Sequence, residues 1–285
     1  MKISIIITSY NQETTIEDAI NSCLNQTLKP FEIIVCDDAS TDSTKDKIRR
    51  YEKTNPECIR VIFNKENQGV SQNRNTGIIA SEGEYITWLD GDDIFLPTKL
   101  ADEGSLLIKD ESVQWVYSQV EQIAPDWRKV QKRYKKKRTG YIFEFVVKSL
   151  GKAPRNPMVS KKLLMKVGLF DPNLEIYEDY DLMLRISLFG KCAYNKLHGM
   201  EYRINEFGLS RQNIELHLKY INMVEKKIES YLFKTPKKKR EKLLRRFTHS
   251  KHVFSLNLKD GIEQRDYCRV LKLCIDRLFY GFIGV

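Results

Sequence analysis

Residues 85–93 read YITWLDGDD, an apolar run that stops in three carboxylates within four positions, Asp90, Asp92 and Asp93. Carboxylates this close repel, and each wants water, a donor or a cation. Oxygen donors grouped at a strand end suit Mg²⁺ or Mn²⁺ holding a phosphate. An isolated DGDD is more often a solvated turn, with Asp92 or Asp93 capping a helix over IFLPTKL. Here a second run, FEIIVC, also ends in acids, Asp37 and Asp38, which favours the metal. A third group, Glu178, Asp179 and Asp181, opens EDYDLMLRISLF, whose Leu182, Ile186 and Phe189 recur at helical spacing. Acids in a first helical turn suit the helix dipole. A carboxylate there, aimed into a crevice, can also take a proton from a hydroxyl. Spacing alone leaves capping and catalysis about even.

The elements that would carry these acids alternate in kind. ISIIITSY is a β-branched run suited to a strand buried on both faces. Thr14 and Glu17 form a capping-box pattern before Ile16, Ala19, Ile20, Cys23 and Leu24. FEIIVCDDAS reads as a second strand. STDSTKDKIRRYEKT reads as a helix capped by Ser40 or Asp42, IRVIFN as a third strand, Gly69 to Ala80 as a helix and EYITWLD as a fourth strand. Such alternation predicts parallel βαβ units with a ligand crevice beyond the strands' carboxyl ends. Four ends should meet there: Ser9-Tyr10-Asn11, Asp37-Asp38, Asn64 to Asn67, and Asp90 to Asp93. No glycine-rich phosphate cradle is present, so a bound phosphate would need a cation.

The chain has 285 residues and a net charge of +10, unevenly placed. Residues 214–285 hold 17 basic and 8 acidic side chains, a balance of +9, and residues 126–140 hold eight basic side chains and one acid. No stretch is apolar enough to span a membrane. The start, MKISIIITSY, reads as a first strand rather than a signal peptide. Six scattered cysteines suggest reduced thiols in a cytoplasmic protein, and four scattered histidines offer no zinc site.

TSYNQETTIEDAINSCLNQT, IIVCDDASTDST, NKENQGVSQNRNTGI, YITWLDGDD, VGLFDPNL and EDYDLMLRI, in that order, resemble family 2 glycosyltransferases, inverting enzymes with a GT-A fold. The likeness covers roughly residues 1–213, about three quarters of the chain. It implies a GT-A catalytic domain over 1–213, an α/β, Rossmann-like, mostly parallel sheet flanked by helices. Residues 1–103 would bind the nucleotide sugar and 104–213 would hold the acceptor and base. A basic helical extension, 214–285, would follow. The likeness gives Ser9 and Tyr10 to the nucleotide pocket and Asp38 to uracil N3–H, leaving Asp37 structural. It gives Asn67 and Arg74 to a loop over base and diphosphate, Asp90 to the ribose, and Asp92 with Asp93 to Mn²⁺ or Mg²⁺. Asp179 would be the catalytic base, with Glu178 setting its position and charge, and Arg203 would touch the diphosphate. The processive family members' QxxRW motif is absent, which implies one sugar added per encounter to a glycan or lipid-linked glycan in surface polysaccharide assembly, from a nucleotide donor expected to be UDP.

In the extension, Leu216, Tyr220, Ile221, Val224, Ile228 and Tyr231 recur at helical spacing, as do Val270, Leu271, Cys274, Ile275, Leu278 and Phe279. They suit either a subdomain packed on the body or peripheral docking at the anionic inner face of a membrane, with LFYGFIGV inserting shallowly. The 128–138 cluster could instead hold an anionic polymer acceptor. Two further readings compete. Nucleic-acid binding would use the basic stripe with Trp127 and Tyr134, but leaves the acidic crevice unexplained. Nucleotidyl transfer needs a glycine-rich basic loop after the first strand, which TSYNQETT is not. The reading taken is a glycosyltransferase with no nucleic-acid partner.

Overall fold

The computed structural model describes residues 1–124, 129–130, 138–149, 154–204, 214–233 and 237–264. The order begins β1 (Ile3–Ser9), α1 (Ile16–Leu24), β2 (Glu32–Asp37), α2 (Thr44–Thr54), β3 (Ile59–Phe63), α3 (Val70–Ala80), β4 (Tyr85–Asp90). It continues β5 (Ile94–Phe95), α4 (Lys99–Lys109), β6 (Val113–Ile123), β7 (Lys129–Val130), α5 (Phe143–Val147), β8 (Met158–Ser160), α6 (Lys161–Val167), α7 (Glu178–Phe189), β9 (Lys191–Arg203), α8 (Ile214–Tyr231) and α9 (Lys237–Gln264).

One sheet runs through the body in the order β3-β2-β1-β4-β8-β6-β9-β5, with β7 on β6. The first four strands are parallel. The other half is mixed: β8 lies antiparallel to β4 and β6, β5 antiparallel to β9, and β6 parallel to β9. The expected mostly parallel sheet therefore holds for β1 to β4 and gives way to a mixed sheet beyond.

The β-branched runs explain the first half. β1 is buried along its whole length. Ile6, Ile34 and Trp88 face one core, while Ile5, Ile7, Ile33, Val35 and Leu89 face another on the opposite side of the sheet. That is the period-2 alternation of a strand covered on both faces. Gly77 lets α3 lie close to this sheet, because a Cβ there would stand 2.4 Å from Ile6 Cγ2.

Two expected caps differ from the structure, and of Ser40 and Asp42 it is Asp42 that reaches the start of α2. Helix α1 begins at Ile16 with Thr15 as N-cap and no side-chain cap bond, and Glu17 binds Lys47 instead of closing a capping box. Helix α2 starts after Ser43, with Asp42 Oδ1 accepting from the Thr44 N–H, while Ser40 turns to Asp37. Asp92 and Asp93 cap nothing, since IF pairs as β5 and α4 starts after Thr98. Phe189, expected on the apolar face of α7, is 48% exposed.

Tyr220, Ile221, Val224 and Ile228 of α8 and Leu243 and Phe247 of α9 are buried in the same core as Trp88 and Trp115. The apolar stripe of α8 thus packs on the body. Among the described residues, no helix is long and apolar enough to cross a membrane. The stripe from Val270 to Phe279, the terminal LFYGFIGV, Trp127, Tyr134 and the basic stretch around them, apart from Lys129 and Arg138, lie outside the described residues. Ile221→Ala should cost about 2–5 kcal/mol of stability for the whole body in urea unfolding. An unchanged midpoint would mean that α8 is not part of this core.

Candidate functional site

The carboxyl ends of β1, β2 and β4 are held in register, Ser9 beside Asp37 and Thr8 beside Asp90. The connections leaving β1, β2 and β3 each contain a residue in the left-handed region, Asn11 at φ 51°, Ala39 at φ 62° and Gly69 at φ 83°. Non-glycine residues bear such strain only where their surroundings fix it. Here hydrogen bonds do so. Asn11 N–H donates to Ser40 Oγ, and Asn11 Oδ1 accepts from the Thr41 N–H.

Asp38 organises the next turn. Its buried carboxylate accepts from Asn64 Nδ2 at 2.8 Å, the Gln68 N–H at 3.0 Å and the Gly69 N–H at 2.9 Å. Asn67 stands exposed on that turn, its Oδ1 taking the Gly69 N–H. Tyr10 is 47% exposed at the end of β1, a flat apolar face at the crevice. Ser9 differs from expectation. It is buried and its Oγ lies 3.3 Å from Asp37 Oδ2, so it braces β1 against β2 instead of lining the crevice. Asp37 also accepts from Ser40, which fits the structural part expected of it.

Ser71, Arg74 and Asn75 share one face of α3, and all three reach the segment before α7 or its first residue. Ser71 Oγ donates to Leu174 O, and Asn75 exchanges two hydrogen bonds with the backbone of Phe170. Arg74, 5% exposed, donates from one terminal nitrogen to Asp90 Oδ1 at 2.6 Å and from the other to Glu178 Oε1 at 2.7 Å. Its guanidinium lies over the Phe170 ring. Both terminal nitrogens are taken by protein carboxylates, so from helix α3 Arg74 ties the end of β4 to the start of α7.

One guanidinium is shared by two carboxylates at this seam, Asp90 and Glu178, and Asp179 adjoins Glu178. Burial works against the charge of Arg74, yet Asp90 and Glu178 hold it more firmly protonated than a free arginine. Burial pushes Asp90 upward, but Arg74 overrides it and leaves Asp90 below the usual carboxylate range, with Arg155 and Thr8 adding to the effect. Glu178 takes the opposite course: burial and then Asp179 push it up to about 7 against the pull of Arg74. Asp179 is half-buried at the start of α7, its Oδ1 near the Tyr180 N–H.

The three acids of LDGDD separate. Asp90 is committed to Arg74 and Thr8. Asp93 is buried, accepts the Arg203 N–H at 2.9 Å, and is raised well above its usual value by burial and then by Asp92 and Asp90. Asp92 is half-buried just beyond β4. Among the described residues no three His, Cys, Asp or Glu side chains stand together as a metal cage. One crevice carboxylate does fit Mg²⁺ or Mn²⁺, which are commonly held by one or two carboxylates plus substrate phosphates. That donor set fits Asp92, and Asp93 is turned into the protein. Arg203 binds Asp18 Oδ2 at 2.8 Å through its guanidinium.

Arg155 was not foreseen. It stacks 4.2 Å from the centre of the Tyr202 ring, and its charge helps to lower Asp90 and opposes the rise of Asp93. A lone arginine between two prolines in PRNP gives no periodic signal. His217, at 4% exposure with its Nδ1 on the Tyr177 hydroxyl, escaped for the same reason.

Two outcomes test this geometry. Arg74→Gln should destabilise the protein by about 3–5 kcal/mol, because it leaves buried carboxylates unpaired. Arg74→Lys, which cannot reach both partners with one ammonium, should recover only part of this. Because Glu178 is raised when folded, its favourable contribution is complete below about 4.5 and is lost as pH rises to about 7. The stability of the wild type relative to Glu178→Gln should fall across that window in thermal melts. A flat difference would contradict the assigned shift.

Residues 4–168 match the profile described as Glycosyl transferase family 2. The hyaluronan synthase of Pasteurella multocida is 29% identical over 222 residues, 74% of this chain and 22% of that one. The Escherichia coli UDP-Glc:alpha-D-GlcNAc-diphosphoundecaprenol beta-1,3-glucosyltransferase WfgD is 36% identical over 119 residues, 42% of this chain and 46% of that one. The chain thus spans less than half the length of either relative. Among solved structures, S. aureus TarS 1–349 in complex with UDP-GlcNAc superposes with a TM-score of 0.74 at 21% identity, covering 97% of this chain and 79% of that one. The fold is that of the GT-A glycosyltransferases, and with more than half its length matched by the family profile the chain belongs to glycosyl transferase family 2.

Proposed function

We propose that the protein transfers a sugar from a UDP donor to a glycan or lipid-linked glycan acceptor, inverting the anomeric centre, in surface polysaccharide assembly. The observation that carries this is the Arg74 seam, which brings Asp90, at the end of β4, and Glu178, the neighbour of Asp179 in sequence, onto one guanidinium. The names of WfgD, which uses a UDP-glucose donor and a diphosphoundecaprenol-linked acceptor, and of TarS, bound to UDP-GlcNAc, support the donor and acceptor classes.

In this reading Tyr10 packs on the uracil or ribose and Asp38 takes the uracil N3–H. Asn67 lies at the rim of the same turn, and Asp90, held ionised by Arg74, faces the ribose. Asp92 would hold Mn²⁺ or Mg²⁺, which when bound neutralises charge on the leaving diphosphate. Asp179 takes the proton of the acceptor hydroxyl, whose oxygen attacks the anomeric carbon opposite the departing UDP. Glu178, raised to about 7, carries less than a full negative charge beside Asp179 near neutral pH. Arg203, whose backbone closes on Asp93, would lie near the diphosphate.

Docking at an anionic membrane face forms the outer part of the proposal. Lys238, Lys242, Arg245 and Arg246 line one open depression on α9 with Glu241. Burial, followed by Arg246, lowers the pKa of the nearby Lys148, as crowded cations do. Each such residue near an anionic surface is worth about 1 kcal/mol.

A panel of UDP sugars, scored for UDP release with Mn²⁺ and with EDTA, tests the reaction class. Metal-dependent UDP release is expected, whereas release of sugar 1-phosphate, with UMP passed to an acceptor, would indicate nucleotidyl transfer. Asp179→Asn should abolish turnover while UDP still binds in titration calorimetry, and Asp92→Ala should weaken UDP binding only when Mn²⁺ is present. An active Asp179→Asn would refute the base. For the membrane, co-sedimentation with phosphatidylserine vesicles should fail in 0.5 M salt, which screens charge to about 4 Å, and in the Lys242→Glu, Arg245→Glu, Arg246→Glu variant.

A further inference from the structure

The residue before the acid pair has a strained backbone. Tyr177 sits at φ 65° as N-cap of α7 and makes no side-chain cap bond. For a bulky aromatic this conformation costs about 1–2 kcal/mol and needs an outside hold. The hold comes from α8. The Tyr177 hydroxyl shares a 2.8 Å hydrogen bond with His217 Nδ1, and the two rings meet edge to face at 5.7 Å. His217 is buried on the side of α8 that faces the body. Further along α8, Lys227 Nζ and the Tyr231 hydroxyl each donate to Asp181 Oδ1 at 3.0 Å. Helix α8 therefore grips the first turn of α7 one residue before Glu178 and two residues after Asp179. Arg74 holds Glu178 from the opposite side. The family profile ends at residue 168, before either helix.

We propose that His217 is a positioning residue for the catalytic base: by holding Tyr177 in its left-handed conformation it sets where the Asp179 carboxylate stands in the crevice. The proposal rests on Asp179 being that base. Helix α8 is then a working part of the site and not an appendage to it.

The test uses the full chain with UDP-GlcNAc and UDP-glucose as donors, Mn²⁺ in the buffer and water as acceptor, with UDP release and calorimetric UDP affinity as readouts. His217→Phe removes the hydrogen bond and keeps a ring. It should lower kcat at least tenfold, since a displacement of about 1 Å can cost about a hundredfold. UDP affinity and donor KM should stay within about twofold. His217→Asn places an amide where Nδ1 stood, able to donate or accept, and should restore most of kcat. If His217→Phe does not fold by thermal melt, Tyr177→Phe, which removes only the hydroxyl, carries the same expectation. Unchanged kcat in the phenylalanine variants, beside an inactive Asp179→Asn, overturns the positioning role. Equal loss of kcat in His217→Phe and His217→Asn also overturns it, pointing to packing alone. An active Asp179→Asn overturns the base assignment and the role of His217 with it.

Discussion

The site is organised around a buried cation shared by two acids distant in sequence. Arg74 joins Asp90, at the end of the central parallel strand β4, to Glu178, at the start of α7. Stripping a guanidinium of water is expensive, and a single ion pair seldom repays it. Two short charge-assisted bonds at opposite ends of a planar fork come closer, and they demand an arginine because an ammonium is a point charge. The gain lies in geometry: Asp90 and α7 cannot move apart without exposing an unpaired charge. Ser71 and Asn75 fasten the same face of α3 to the segment that leads into α7, so the seam resists sliding as well as opening.

That arrangement has an electrostatic remainder. One positive charge does not neutralise Asp90, Glu178 and Asp179 together. Asp90 has Arg74, Arg155 and the Thr8 hydroxyl in its favour and keeps its charge. Glu178 is more deeply buried, sits beside Asp179 and carries the excess as a raised proton affinity. The same division appears in LDGDD, where the buried Asp93 is raised while Asp92 stands at the crevice.

The parallel half of the fold was legible because strands covered on both faces must be continuously apolar, and β1, β2 and β4 are. The acids at their ends were legible because charge at the edge of such a run is conspicuous. What escaped depended on partners far along the chain. The motifs of Ser9 and Arg74 do not show that Asp37 and Glu178 bind their polar atoms in the folded protein. The cap of α1 was misread, and Ser40 dropped out as a cap of α2 in favour of Asp42, because local capping patterns compete with bonds between connections, such as Glu17 with Lys47 and Ser40 with Asp37. Strands β5 and β8 are too short to show a period, and β8 is fixed only by the neighbours it joins.

The extension shows how one amphipathic pattern can carry two meanings. A basic helix with an apolar side suits a membrane interface, and it equally suits a protein core with a solvated outer face. The core has the stronger claim on α8 and the start of α9, because Tyr220, Ile221, Val224, Ile228, Leu243 and Phe247 are already buried in the body. Insertion of those side chains into lipid would require pulling α8 from the body, and with it His217, Lys227 and Tyr231 from the first turn of α7. The outward face that remains is cationic, so any hold of these two helices on an anionic surface is electrostatic and reversible by salt. Binding of that kind would leave the α8 grip on α7 intact, and with it the placement of Glu178 and Asp179 at the start of α7.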